Sequence, residues 1–107
     1  MKHSKLYLVR VYAQRIAAKE AWDICTNSEC NQEYINASKP ERKEIVSRRV
    51  DDGLKIYAHL HRGHTALFKR AFKESLELML GEYDSHIEAH KNAHASRHLH
   101  HYPSEED

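Results

Sequence analysis

Breakers are scarce in this 107-residue chain, which holds three glycines and two prolines. With so few forced turns, long helices are the natural outcome. Long apolar runs are missing too, and nothing approaches the ~18 residues of a membrane-spanning helix. The N-terminal run Leu6-Tyr7-Leu8-Val9 is cut by Arg10, which is too short for the apolar core of a signal peptide. The expected location is therefore the cytoplasm, and the two cysteines, Cys25 and Cys30, are read as free thiols rather than a disulfide. Gly53, Gly63 and Gly81 are scattered and cannot build a phosphate-cradling loop. No serine or cysteine stands in a recognisable nucleophile–base–orienter set. The paired carboxylates Asp51-Asp52 and Glu105-Glu106 lie in polar runs and read as solvated charge. The expectation is a protein that is not an enzyme.

Apolar residues make up 40% of the sequence and charged residues 31%. That balance, at this length, fits one domain with a modest core. Residues 5–25 open ambiguously. Leu6 to Tyr12 is aromatic and β-branched, which favours a strand. Ala13 to Ile24 is alanine-rich and unbroken, which favours a helix. Val9, Ala13, Ile16 and Ala17 share one helical face, with Trp22 displaced from it. A helix over the whole span is preferred, because a lone strand needs a partner for its backbone groups and no second strand is evident. Residues 26–37 are polar and suit a loop with one short helical turn from Ser28 to Ile35, capped by Asn27 or Ser28.

The clearest boundary is Ser38-Lys39-Pro40-Glu41. Ser38 and Glu41 have the spacing of a capping box, and Pro40 sits in the first turn, where its missing N–H does no harm. Val46, Val50, Leu54, Tyr57 and Leu60 follow at three- and four-residue spacing. Gly53 reads as a weak spot costing about 1 kcal/mol relative to alanine, and Gly63 as a stop or bend. The last helix carries the broadest stripe, from Leu67, Phe68, Ala71 and Phe72 through Leu76, Met79, Leu80 and Tyr83 to Ile87. Together these patterns predict an all-α fold, a small bundle of about three helices with an N-terminal strand as the variant. Residues 1–87 form the domain in this reading, and residues 88–107 form a histidine-rich, then acidic, extension. A homodimer through the last stripe is a further variant.

Net charge is only +1, but its layout is uneven. Residues 39–73 carry ten basic against four acidic side chains, and residues 74–107 carry two against eight. Such segregation speaks to partners. The candidate partner-binding residues are Arg42, Lys43, Arg48, Arg49, Lys69, Arg70 and Lys73. The expected function is a small non-catalytic regulator or adaptor that binds and modulates a larger protein or protein complex, the basic segment meeting an acidic surface or the acidic tail a basic one. The alternative is a DNA- or RNA-binding regulator, since the same side chains neutralise phosphates.

The ten histidines supply a third option. His86, His90, His94 and His98 recur every four residues, which lines their imidazoles along one helical stripe. Neighbouring rings at this spacing can share a zinc ion, and the stripe gains charge near pH 6.5. A metal- or pH-responsive protein is the second alternative. No cofactor is otherwise expected. A further zinc-like inventory combines Cys25 and Cys30 with His59, His61 and His64, although the ~28-residue gap is long for a common finger.

Overall fold

The computed structural model describes the backbone of residues 5–99 and the side chains of residues 5–91. The described residues contain four α-helices: α1 (Lys5–Thr26), α2 (Ser28–Ile35), α3 (Lys39–Ile56) and α4 (Thr65–Leu99). A single 3₁₀ turn, Ala58–Leu60, bridges α3 and α4. The all-α expectation stands, with two corrections. The N-terminal variant strand does not form: residues 5–12 are the opening turns of α1, where the alanine-rich continuation and the lack of a partner strand decide the matter. The count rises from three to four, because residues 28–35 form a complete short helix. Asn27 starts it by accepting the amide hydrogen of Cys30 on its side-chain oxygen at 3.1 Å, the N-cap role.

The capping box at α3 is present in full. The Ser38 amide donates to Glu41 Oε1 at 2.8 Å, and the Glu41 amide donates to Ser38 Oγ at 3.4 Å. These two bonds satisfy amides that no intrahelical carbonyl reaches. They also hold the exposed Glu41 carboxyl below its ordinary value, the backbone bond from Ser38 being the main cause.

Helix directions follow from which residues meet. Arg10 and Gln14 of α1 share a groove with Leu67, Arg70 and Ala71 of α4. Near the far end of α1, Asn31 donates to the carbonyls of Ile24 and Cys25 and also to the hydroxyl of Tyr83. Helices α1 and α4 therefore run in the same direction. Helix α3 runs against both, since Arg49 meets Glu20 and Asp23, and Arg42 meets Asp84. The short α2 folds back across the C-terminal side of the bundle and lays Tyr34 on Asp84.

The core is a single cluster. Val9, Ala13, Ala17 and Ile24 of α1, Val46 and Val50 of α3, and Phe68, Phe72, Leu76 and Leu80 of α4 are all buried in it. Phe68 and Phe72 meet edge to face at 5.7 Å, a favoured aromatic geometry. Gly53, read from sequence as a weak spot, is buried against Phe72: a Cβ added there would lie 2.2 Å from Phe72 Cε2. The missing side chain is what lets α3 approach α4. Past Ile87 the described side chains are exposed, and α4 continues to Leu99.

The turn between α3 and α4 is built around His61. Its ring is buried, 4.6 Å from that of Phe68. Nε2 lies 2.9 Å from the Leu54 carbonyl and Nδ1 lies 3.1 Å from Thr65 Oγ1. A carbonyl only accepts, so Nε2 carries hydrogen and, in the neutral ring, Nδ1 accepts from the threonine hydroxyl. His61 thus ties an orphan carbonyl of α3 to the first residue of α4. Gly63 supplies the left-handed residue this corner needs, with φ +82°.

Candidate functional site

Two of the seven predicted partner-binding residues face inward. The Arg42 guanidinium donates from Nε to the Tyr34 carbonyl at 3.0 Å and from Nη2 to the Ile35 carbonyl at 3.3 Å. It also pairs with Asp84 at 3.4 Å, its side chain only 10% exposed. Those two carbonyls close α2, so the Arg42 guanidinium caps the final turn of that helix. Asp84 accepts from Tyr34 Oη at 2.5 Å as well. Burial, reinforced by that hydrogen bond and by the Asp84 charge, pushes the Tyr34 phenol well above its ordinary value. Burial and then the Asp84 charge also push the Cys25 thiol up.

Arg49 is likewise committed. One of its nitrogens reaches both Glu20 Oε1 (2.7 Å) and Asp23 Oδ2 (2.8 Å), and the other donates to Cys30 Sγ at 3.1 Å. Burial opposes its charge, but the hydrogen bonds and charges of Glu20 and Asp23 outweigh that, so its net shift is upward and it stays ionised. Arg48 pairs with Glu33 at the surface, where such pairs contribute little. Lys43, Lys69, Arg70 and Lys73 are exposed and form no ion pair with a described residue.

What the fold brings together is different from that set. Residues 5–19 and 53–73 contain no aspartate or glutamate. The shared direction of α1 and α4, with α3 opposed, places both segments in the same half of the bundle. That half carries Lys5, Arg10, Arg15 and Lys19 on α1, and Lys55, Arg62, Lys69, Arg70 and Lys73 around the α3–α4 corner. None of these nine cations forms an ion pair with a described residue. Within it, Arg10, Gln14, Arg70, Glu74 and Ser75 line a groove of about 410 Å³ between α1 and α4. The α1 cations, Lys55 and Arg62 were outside the sequence-based selection. The signal that finds them is the absence of acidic residues, not the density of basic ones.

The histidine options divide. His86 and His90 are exposed on α4, while the side chains of His94 and His98 lie outside the described residues. The Cys/His inventory is pulled apart. Cys30 sits with Asp23 and Arg49 and Cys25 beside Asp84, whereas His61 contacts Thr65. Thr65 and Asp84 are separated by about 28 Å of α4 at 1.5 Å per residue. Among the described residues, no group of three or more His, Cys, Asp and Glu side chains is placed to hold a metal ion. No described helix is long and apolar enough to cross a membrane. No protein family, curated protein or solved structure matches the sequence.

Proposed function

We propose that this protein is a non-catalytic regulator or adaptor that binds a larger anionic partner, an acidic protein surface or a nucleic acid, through the cationic half of its bundle. The observation that carries the reading is the convergence of two acid-free segments, 5–19 and 53–73, whose nine cations form no ion pair with a described residue. Like charges gathered in one half of a bundle repel one another, and an anionic partner relieves that repulsion while steering association. Of the other described cations, Arg42, Arg48 and Arg49 are matched internally with acids, whereas Lys39, Lys43 and Lys91 form no ion pair with a described residue but lie apart from those two segments, in the opposite half. A non-catalytic role is supported by the half-buried Cys25 thiol, held toward its protonated form, and by the distance between both cysteines and the His59–His64 corner.

A heparin column tests the proposal, because heparin offers charge without sequence or shape. The Lys69→Glu/Arg70→Glu/Lys73→Glu protein should elute at clearly lower salt than the parent. A Lys39→Glu/Lys43→Glu/Lys91→Glu protein, with an identical charge change in the opposite half, should elute much closer to it. Equal losses from both triple variants would mean that net charge alone governs retention and that the cationic half is no special surface.

A further inference from the structure

The only tryptophan of the protein plays no part in the core. Trp22 is 70% exposed, an unusual position for a side chain of that size. It lies on the outer face of α1, with Lys19 one turn before it and Arg15 two turns before it. Ala18 and Thr26 fill the same exposed face. The acids nearest in sequence, Glu20 and Asp23, are turned toward Arg49 on α3. Among the described residues of α1, that face therefore offers one flat aromatic ring, two cations that form no ion pair with a described residue, and no carboxylate.

We infer that this face, formed by Arg15, Lys19 and Trp22, binds single-stranded nucleic acid, the indole stacking on an unpaired base while Lys19 and Arg15 neutralise adjoining phosphates. The inference rests on the cationic half being the binding surface and names its partner. Charge complementarity selects a polyanion. The isolation of the ring then separates the partner classes. An indole that anchors a protein partner sits within a desolvating rim of other contacts, whereas here its described face-mates are small or charged. A base has an aromatic face that stacks on an indole without any pocket, and cations flanking such a platform track the backbone. Bases within a duplex are already stacked on one another and present no free face, so the single strand is preferred.

Because Trp22 is the sole tryptophan, its emission reports on this site alone. Titrating the protein with a 20-nucleotide oligo(dT) should quench that emission, and the apparent affinity should fall steeply with salt. By anisotropy of a labelled oligo(dT), Trp22→Ala should bind about 5- to 150-fold more weakly, and Arg15→Ala/Lys19→Ala should flatten the salt dependence. Trp22→Ala should leave heparin elution unchanged, and its circular dichroism should match the parent because the ring is exposed. Oligo(dT) binding without quenching, or equal affinity for a random duplex, overturns the stacking inference and leaves the cationic surface standing. Binding of poly-glutamate but not of oligo(dT) overturns it in favour of an acidic protein partner. Failure to bind heparin as well as oligo(dT) removes both readings together.

Discussion

Gly53 and Gly81 are the same residue in helical positions, yet their surroundings demand opposite outcomes on substitution. A methyl group at position 81 meets nothing within 4 Å, so Gly81→Ala gains helix propensity and should stabilise the protein by about 1 kcal/mol. At position 53 the methyl group runs into the Phe72 ring, and the cost of overpacking, about 1–3 kcal/mol, exceeds the propensity gain. Urea midpoints should therefore move in opposite directions for the two variants. Read from sequence, Gly53 is merely a poor helix former, because propensity is local and the contact that explains it lies nineteen positions away. Tyr34 gives a second residue-scale outcome. Its phenol titrates higher in the folded protein than its ordinary value of 10.0, so the folded state holds that proton more tightly. The associated stability is complete below pH ~10 and is lost as pH rises through the folded value. Cys25, also raised, acts in the same direction from its lower ordinary value of 9.0. Tyr34→Phe should thus show a shallower loss of stability between pH 9 and 11 than the parent, measured by thermal unfolding across that range.

At the scale of elements, the start of α3 and the apolar stripe of α4 were legible because their determinants are contained within one or two turns. Ser38, Pro40 and Glu41 specify a helix start by themselves, and Leu67 to Ile87 repeat the period of a helix without interruption. Helix α2 was legible only as a single turn. Eight residues are marginal as an isolated helix, and what completes this one is distant: Asn31 reaches Tyr83, and Arg42 covers the carbonyls of Tyr34 and Ile35. Two outcomes separate these cases. Ser38→Ala removes a local cap and should cost about 1 kcal/mol. Arg42→Ala leaves two carbonyls and Asp84 without their guanidinium partner and should cost about 2–3 kcal/mol. In the second variant, hydrogen exchange should accelerate first in residues 28–37. Acceleration spread evenly over all four helices would count against Arg42 as the lock on α2.

For the whole molecule, the segregation of charge was visible in the sequence, but its geometry was not. Pairing depends on tertiary register, and nothing local marks Arg42 and Arg49 as inward while Lys69 and Arg70 face solvent. Nor does periodicity reveal that α1 and α4 run in the same direction, the feature that unites residues 5–19 with 53–73. The inventory of Cys25, Cys30 and the His59–His64 group fails for a related reason: spacing in sequence does not show that α4 holds the groups apart. The most direct measurement of the central claim is a ¹H–¹⁵N titration of the labelled protein with a heparin hexasaccharide. Amides of residues 5–19 and 53–73 should shift together along one binding curve, with those of residues 28–50 nearly still. Shifts centred on residues 28–50, or two unrelated curves for the 5–19 and 53–73 segments, would contradict the account.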